Sequence, residues 1–369
     1  MSAPTLTART PASCQLRICL VASCRFPIGE PFTGGLESIT WHLARELIRR
    51  GHEVSVFAAP GSDPDLGVVE LAVDSLPDHP GRLDVGAPPL VEVAEHHAYL
   101  GLMLELADRA GARFDVVHNN SLHYLPVAMA RSLPVPMLTT LHTPPLWWLE
   151  SAVQLDGGAS SFAAVSRFTA DSWSPITDCT TVHNGVDVSR WPVGRGVGAA
   201  VWSGRLVAEK APHDAILAAR RAEMPIVLAG PVLDVDYYRS KVQPLLGAEA
   251  VHVGHLDQAG LADLVGGSTV AVVTPAWDEP YGLVAAEALA CGTPVAAYAR
   301  GGLPEVLTPD TGRLAPADDV ELLARAMRDA AGLSRTRCRE HAVAHLSLER
   351  MVDLYDDLYA GLQGRRLAA

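Results

Sequence analysis

The chain has 369 residues, 49% of them hydrophobic, which is enough for two globular domains that each bury a core. Its formal net charge is −13. This charge argues against nucleic acid as a partner and against adhesion to anionic membranes, because both need basic surfaces. No run of about 18 uninterrupted apolar residues occurs, so we expect no stable membrane insertion.

The N-terminal residues and the cysteines favour a cytoplasmic protein. Residues 1–14 are rich in Ser, Thr, Ala and Pro and have no apolar centre, so we expect a disordered tail and not a signal peptide. The six cysteines show neither a CxxC pair nor metal-ligand spacing. Free thiols in a reducing compartment explain them most simply.

Short apolar runs alternate with helical stretches over residues 15–190, which predicts an α/β domain with a parallel sheet. The predicted strands are 16–22, 53–58, 68–73, 115–118, 136–141, 162–166 and 180–183. The predicted helices are 35–50, 92–110, 122–132 and 167–174.

Several residues that follow these strands are candidates for ligand contacts. Gly34 and Gly35 open the first helix, where backbone amides can approach a phosphate, although a tight turn alone explains them as well. His142 follows the strand 136–141 and is either a ligand contact or a structural histidine. Trp147 and Trp148 either stack on a bound ring or pack beside the adjacent Pro-Pro turn.

The same alternation resumes after a Gly- and Pro-containing segment at 188–198, which we interpret as an interdomain linker before a second α/β domain at 191–346. The predicted strands are 199–203, 225–229, 250–253, 269–274 and 294–298. The predicted helices are 213–222, 235–246, 258–266, 282–291, 318–331 and 334–345, followed by an amphipathic stretch at 348–362. The GxGxG pattern in the linker precedes a strand, so it does not fit a dinucleotide-binding turn.

Arg205 and Lys210 follow the strand 199–203. The chain contains 27 arginines but only two lysines, Lys210 and Lys241, so a lysine at this position is notable. A guanidinium fork and a mobile ammonium group are suited to holding a diphosphate without a metal. The alternative is a pair of exposed surface cations.

Two carboxylates, Glu279 and Glu287, lie on either side of a predicted helix start at Gly282. The first N–H groups of a helix are unpaired and carry partial positive charge, so Gly282, Leu283 and Val284 could hold a phosphate. Glu287 lies about 7 Å further along the helix, within reach of a ribose. In the alternative, Glu279 is a first-turn helix charge and Glu287 lies on a solvated helix face.

Asp234-Val235-Asp236 imitates the DxD metal motif, but it opens a predicted helix, where aspartates act as caps and first-turn charges. We therefore favour the capping role and predict no metal site.

The pattern Gly204-Arg205-Leu206 with Lys210, followed by Glu279-Pro280-Tyr281-Gly282-Leu283 with Glu287, resembles family 4 glycosyltransferases. Tyr281 stands where Phe is usual in the family, and Ala211 where glycine is usual. Further segments occur in family order between about residues 16 and 362. They are Gly34-Gly35-Leu36-Glu37, Arg50-Gly51-His52-Glu53-Val54, Thr139-Thr140-Leu141-His142, Val182-His183-Asn184-Gly185-Val186-Asp187 and Gly301-Gly302-Leu303-Pro304-Glu305.

The resemblance implies the GT-B fold, in which two Rossmann-like parallel-sheet domains face a central cleft. Residues 15–190 would form the acceptor-side domain and 191–346 the nucleotide-sugar-binding domain, with a helix at 347–365 crossing back to the first domain. It further implies a retaining, metal-independent hexosyltransferase. The donor would be a nucleotide-diphosphate sugar, with UDP favoured and GDP second, and no cofactor would be needed.

Site residues are carried over from the family by position. The implied catalytic residues are Glu279, His142, Arg205 and Lys210. The implied nucleotide-sugar-binding residues are Gly34, Gly35, Arg205, Lys210, Gly282, Leu283, Val284 and Glu287. His118 and His123 are weaker candidates for the acceptor side.

The acceptor is expected to be a hydroxyl of a small-molecule natural product or a glycan, with lipid or polysaccharide acceptors as alternatives. A nucleotide-sugar-binding protein without transfer activity is a second possibility, against which the intact charged residues argue. A Rossmann oxidoreductase is rejected, because the first strand runs into Ser23-Cys24-Arg25-Phe26-Pro27 in place of GxGxxG.

Overall fold

The computed structural model describes residues 15–71, 86 and 88–368. Two separate parallel sheets confirm the predicted α/β architecture. The tail predicted at 1–14 and the end of the strand predicted at 68–73 lie outside the described residues.

The first sheet places the strands β1 and β4 side by side at its centre. Its members are β1 (Arg17–Val21), β2 (Glu53–Ala58), β3 (Val69–Glu70), β4 (Val116–Asn119), β5 (Met137–Leu141), β6 (Ser160–Ala164) and β7 (Thr180–Thr181). Their order is β3-β2-β1-β4-β5-β6-β7. The chain therefore winds outward on both sides of β1 and β4, and ligands of such sheets bind at the carboxyl ends of the strands around this reversal.

The second sheet repeats the arrangement around β8 and β11. Its members are β8 (Ala200–Ser203), β9 (Ile226–Ala229), β10 (Ala250–His252), β11 (Ala271–Val273), β12 (Val295–Tyr298) and β13 (Gly312–Ala315). Their order is β10-β9-β8-β11-β12-β13. The sequence analysis missed β13, an edge strand whose four residues, GRLA, contain a half-buried arginine and an exposed leucine.

Helices cover both sheets. Those of the first domain are α1 (Gly35–Arg49), α2 (Leu90–Arg113), α3 (Tyr124–Ala128), α4 (Trp147–Asp156) and α5 (Arg167–Trp173). Those that follow are α6 (Pro212–Arg221), α7 (Val235–Tyr237), α8 (Gln258–Gly267), α9 (Leu283–Ala290), α10 (Leu303–Val306), α11 (Val320–Ala331), α12 (Arg335–His345) and α13 (Leu348–Ala368).

Two predicted helices were wrong, and two helices of the structure, α4 and α10, were not predicted. The single helix expected at 235–246 is a short α7, a π-helical turn at Tyr238–Val242 and a 3-10 turn at Gln243–Leu245, because Pro244 cannot continue the hydrogen-bond ladder. The helix expected at 122–132 divides into α3 and a 3-10 turn at Ala130–Ser132. Helix α4 was not predicted at all.

The last helix, α13, packs on the first sheet, whereas α12 just before it packs with the second domain. Its apolar residues Leu348, Met351 and Val352 join the same buried cluster as Ile18 and Leu20 of β1. Buried polar contacts specify the register. The Tyr359 hydroxyl lies 2.7 Å from Nδ1 of His118, whose Nε2 lies 2.8 Å from Thr140 Oγ1, and Tyr355 is bonded to the same threonine at 3.0 Å. The helix thereby ties the end of the chain to its first domain.

A second set of contacts joins the domains beside the cleft. The Ser166 hydroxyl, at the start of α5, donates to the Pro280 carbonyl at 2.6 Å. The Glu305 carboxylate accepts from the amides of Arg167 and Phe168 at 2.9 and 2.8 Å and bonds His183 Nε2 at 2.8 Å. Burial alone would raise the pKa of Glu305, but these hydrogen bonds outweigh it and lower the pKa to about 2.

We expect Tyr359→Phe to destabilise the protein by about 1–3 kcal/mol, because the buried His118 ring nitrogen loses its partner. Chemical denaturation measures the difference. Asp357→Asn, at an exposed position on the same helix, is the matched control and should stay near the parent value. Equal stability of the two variants would contradict the docking role of this hydrogen bond.

Candidate active site

A cleft of about 1010 Å³ lies between the two sheets. It collects every site residue implied by the sequence: Gly34, Gly35, His142, Arg205, Lys210, Glu279, Gly282, Leu283, Val284 and Glu287. They come from strand ends and helix starts of both domains. The residues predicted from separate motifs thus share one site.

Lys210 and Glu279 form an ion pair inside this cleft, with Nζ and Oε2 2.5 Å apart. Trp277 completes the group, because its indole N–H donates to the same carboxylate at 3.3 Å and its ring lies 5.0 Å from the ammonium nitrogen. Both charged side chains are mostly buried. The lysine is therefore not an exposed surface cation, and Glu279 is not merely a first-turn helix charge.

The loop that carries Lys210 is fixed from below by Thr274. The threonine hydroxyl contacts the carbonyls of Lys210 and Ala211 at 3.0 Å each and accepts from the Trp202 indole at 3.0 Å. Ala211 has a φ of +41°, a left-handed conformation that favours glycine, the usual family residue here. These contacts stabilise the strained turn at Lys210-Ala211, which directs the lysine side chain into the cleft.

Arg205 faces the glycine loop of the other domain. Its Nη2 bonds the Glu209 carboxylate at 2.9 Å, and the side chain stays one-third exposed. A Cβ atom built on Gly34 would lie 4.0 Å from Arg205 Nε. The arginine and the amides at the start of α1 therefore border the same space.

The start of α9 is shaped by close backbone packing. Gly282 has a φ of +102°, and its carbonyl accepts from the amides of Ala285 and Ala286 at 3.0 and 3.3 Å. The N–H groups before them have no acceptor within the helix. Leu283 reaches across the cleft, since a Cβ on Gly35 would lie 3.0 Å from its Cδ1. The two glycine-containing turns thus face each other.

Glu287 is half-buried and lines the cleft, which excludes the solvated-face alternative. Burial raises the pKa of its carboxyl to about 7. A hydrogen-bond donor from a ligand would favour the ionised form and offset this cost.

His142 is buried and its Nε2 lies 2.8 Å from Oδ1 of Asn120. Burial lowers the pKa of His142 to about 3, so the ring is uncharged near neutral pH. The Asn120 amide nitrogen is buried without a partner. Sequence reasoning missed Asn120, although it noted the adjacent strand end.

Glu37 is a second residue whose part in the site the sequence analysis missed. It lies in the first turn of α1, is 5% exposed and has its Oε2 about 3.1 Å from the position of a Cβ on Gly34. Burial raises the pKa of this carboxyl, while hydrogen bonding to its own amide and the charge of Arg205 act in the opposite direction. The GGLE segment was quoted only for its glycines.

Three weaker expectations resolve differently. His118 is wrong as a cleft residue, because it is fully buried under α13 and bonded to Tyr359 and Thr140. His123 and Trp148 line the cleft, whereas Trp147 does not line it and is 87% exposed. Asp234 caps α7 by accepting from the Tyr237 amide at 2.9 Å, which confirms the predicted capping role. Among the described residues, no cluster of three or more His, Cys, Asp or Glu side chains is placed to hold a metal.

Two family models match consecutive parts of the chain. The model described as Glycosyltransferase Family 4 matches residues 33–190, and the model described as Glycosyl transferases group 1 matches residues 198–342. The chain belongs to glycosyltransferase family 4.

Relatives of this family 4 glycosyltransferase include proteins of two named activities. Glycogen synthase of Mycobacterium tuberculosis (strain H37Rv) is 29% identical over 339 residues, which cover 80% of this chain and 82% of that protein. D-inositol 3-phosphate glycosyltransferase 1 of Catenulispora acidiphila is 28% identical and covers 98% of this chain and 100% of its own.

Solved structures establish the fold. Sucrose-phosphate synthase from Thermosynechococcus elongatus superposes with a TM-score of 0.77 at 19% identity, covering 94% of this chain and 99% of that one. Anabaena Alr3699/HepE, solved with UDP-glucose, superposes with a TM-score of 0.70 at 16% identity, covering 95% of this chain and 100% of that one. AviGT4, involved in avilamycin A biosynthesis, superposes with a TM-score of 0.69 at 21% identity, covering 95% of this chain and 98% of that one. The GT-B fold is confirmed. None of the described helices is long and apolar enough to cross a membrane.

The turn at Gly301 supports the Glu279 loop, and we expect Gly301→Ala to displace it. A Cβ there would lie 2.0 Å from the Glu279 carbonyl oxygen, and the φ is +60°. Gly51→Ala is a matched control, because Gly51 has a φ of +93° but no atom near its Cβ position. Left-handed strain costs about 1–3 kcal/mol in either variant. Thermal unfolding should show a clearly larger loss for Gly301→Ala, and equal losses would mean that the loop adapts.

Proposed function

We propose that this family 4 glycosyltransferase is a retaining, metal-independent enzyme that uses a nucleotide-diphosphate sugar, with UDP favoured over GDP. The observation that carries the proposal is the convergence of Arg205, Lys210 and the start of α9 on one end of the cleft. Two cations and a helix N-terminus supply what a departing diphosphate needs. The similar structure of Anabaena Alr3699/HepE, solved with UDP-glucose, supports the same donor class.

Each charged residue has a distinct part in the proposed reaction. Arg205 and Lys210 neutralise the diphosphate as the bond to the sugar breaks, together with the amides of α9 and the Gly34-Gly35 loop. Preorganised charge of this kind is usually the largest catalytic term. Lys210 must exchange part of its contact with Glu279 for the phosphate, which frees the Glu279 carboxylate for hydroxyls of the donor sugar. Glu287 accepts from the ribose.

The neutral His142 ring contacts the sugar from the opposite domain. Among the described residues that line the cleft, no side chain is an obvious nucleophile, so we propose attack by the acceptor hydroxyl on the same face that the diphosphate leaves. The acceptor oxygen forms the new bond to the anomeric carbon and its proton passes to the departing phosphate oxygen. Configuration is thereby retained.

The acceptor in this proposal is a hydroxyl of a small-molecule natural product or a glycan. AviGT4, named for a role in avilamycin A biosynthesis, is consistent with the former. The relatives named for glycogen synthesis and for D-inositol 3-phosphate make a polysaccharide or a phosphorylated cyclitol the alternatives.

A thermal-shift panel of UDP, GDP, ADP and dTDP with their common sugars, with and without EDTA, tests the donor. One nucleotide should stand out, because a ligand at about 100 times its dissociation constant adds about 2.7 kcal/mol to stability. The shift should be unaffected by EDTA. An EDTA-sensitive shift would contradict metal independence and return attention to Asp234 and Asp236.

We expect Arg205→Ala and Lys210→Ala each to lower kcat by about 10²- to 10³-fold, since each removes one charge that stabilises the leaving group. Lys241→Ala is the matched control, as Lys241 is exposed and does not line the cleft. Steady-state release of the nucleotide measures all three. Full activity in both cleft variants would end the proposed mechanism, and donor binding without any turnover in the parent protein would favour the non-catalytic alternative.

Glu287 should make donor binding pH-dependent. Its pKa is raised to about 7, so below pH 7 the carboxyl is mostly protonated and must lose a proton to accept from the ribose. Affinity for UDP-glucose should therefore fall by up to about tenfold per pH unit below 7 and level off above 8. Calorimetric titration from pH 5.5 to 8.5 measures this. Glu287→Gln should bind more weakly at pH 8 and lose this part of the pH dependence, and identical profiles would exclude Glu287 as the ribose contact.

A further inference from the structure

The wall of the cleft that faces away from Arg205 and Lys210 belongs to the first domain, and we call it the acceptor wall. Its side chains come from α2, from the starts of α3 and α4 and from the segments that follow β1 and β4, and those used here are Arg25, Glu92, Glu95, His123, Tyr124 and Trp148. His142 lies at the same strand ends. An acceptor that attacks a sugar held by Glu279 and His142 must rest against this wall.

The acceptor wall is built from stacked rings. His123 lies between Tyr99 and Tyr124, with centroids 4.6 and 4.7 Å apart and interplanar angles of 25° and 24°. The stack is held by hydrogen bonds, since the Tyr99 hydroxyl donates to the Ala22 carbonyl at 3.0 Å and the Tyr124 hydroxyl lies 3.0 Å from His96 Nδ1. The tyrosines cover the faces of the His123 ring, so the stack fixes the half-buried His123 and Tyr124 as a rigid aromatic part of the cleft lining, which suits a cyclic ligand.

Trp148 adds a further ring to the lining of the cleft. It begins α4 together with Trp147, is 57% exposed and lines the cleft. The indole is thus available to a ligand without any rearrangement of the core. Its neighbour Trp147 does not line the cleft, so a variant at Trp147 serves as the control for a variant at Trp148.

The charges of the acceptor wall disfavour an anion. Arg25 is the one cation among its described residues, and Glu95 occupies the Nε–Nη2 edge of its guanidinium, at 2.7 Å from Nε and 3.0 Å from Nη2. Glu92 adds a second carboxylate to the lining. A phosphate on the acceptor would approach two carboxylates and a single cation that is already paired with one of them, whereas an ammonium group would be attracted by the carboxylates.

We propose that the acceptor is a hydroxylated ring compound without a phosphate or carboxylate group, and that an amine on the ring is tolerated. This inference rests on the proposed function and narrows its acceptor. It separates this chain from relatives named for D-inositol 3-phosphate, whose acceptor is an anion by name.

Matched acceptor pairs that differ by one phosphate test the proposal: myo-inositol with D-inositol 3-phosphate, and glucosamine with glucosamine 6-phosphate. With the donor identified by the thermal-shift panel, the unphosphorylated member should have the higher kcat/KM by at least tenfold in each pair that reacts. An equal or higher value for the phosphorylated members would overturn the proposal. So would slow donor hydrolysis without transfer to any ring polyol. Absence of both donor binding and hydrolysis would instead contradict the proposed function.

Charge variants test whether the Arg25–Glu95 pair causes the preference for unphosphorylated acceptors. Glu95→Gln releases Arg25, so it should raise kcat/KM for the phosphorylated member relative to its partner by about fivefold or more. Glu105→Gln is the matched control, because Glu105 forms a similar pair with Arg113 on the same helix at 2.7 Å but outside the cleft lining. An unchanged ratio in Glu95→Gln would show that the pair does not set the charge preference.

Ring recognition is tested separately by Trp148→Ala, which should raise KM for the ring acceptor by about tenfold with little change in donor affinity. Trp147→Ala, at the 87% exposed neighbouring position, should leave KM unchanged. Similar effects of the two variants would contradict stacking on Trp148.

Discussion

The position of the Glu279-Pro280 segment is the constraint on which the rest of the site depends. From its own domain, the Gly302 amide donates to the Glu279 carbonyl at 2.7 Å, and only a residue without a side chain fits at Gly301 beneath it. From the other domain, the hydroxyls of Ser166 and Thr169 reach the Pro280 carbonyl at 2.6 and 3.3 Å. The carboxylate proposed to hold the donor sugar therefore sits on a segment that both domains fix. A movement of one domain relative to the other would therefore disturb the position of the Glu279 carboxylate.

The ion pair between Lys210 and Glu279 holds two opposite charges inside the cleft, although both side chains are mostly shielded from water. An unpaired lysine at this depth would carry a large desolvation cost, and so would an unpaired carboxylate. Pairing them removes most of that cost, and Trp277 orients the carboxylate. In the proposed reaction the diphosphate takes over part of the contact of Lys210, and the hydroxyls of the donor sugar then donate to the Glu279 carboxylate in its place. The same reasoning explains why a metal is unnecessary in the proposed reaction.

Much of the architecture was predictable from sequence because it depends on local patterns. Apolar runs bounded by glycine and proline gave most strands, and residues after strand ends met in one cleft because parallel strands all end at the same edge. What escaped prediction depends on distant contacts. Asn120 contacts His142 and Trp277 donates to Glu279, but no pattern in the sequence around Asn120 or Trp277 indicates these contacts. The short edge strand β13 and the helix α4 also lack a clear periodicity of their own.

His118 shows the opposite failure. A histidine after a strand was read as a possible ligand contact, but its partner is a tyrosine 241 positions away on α13. Only the crossing of the last helix, which no local pattern specifies, turns that histidine into a buried structural group.

The two buried carboxyls of the donor region act in opposite senses on an anionic ligand. Glu287 gains from ionisation when a ribose donates to it, whereas Glu37 borders the same space as Arg205 and the amide of Gly34, where a negative charge competes with a phosphate. Burial raises the pKa of both groups. A phosphate beside Glu37 would raise the pKa of that carboxyl further, whereas a ribose hydroxyl that donates to Glu287 favours the ionised form of Glu287. Donor binding therefore favours opposite protonation states of the two carboxyls, and protonation of Glu287 is the change that weakens binding below pH 7.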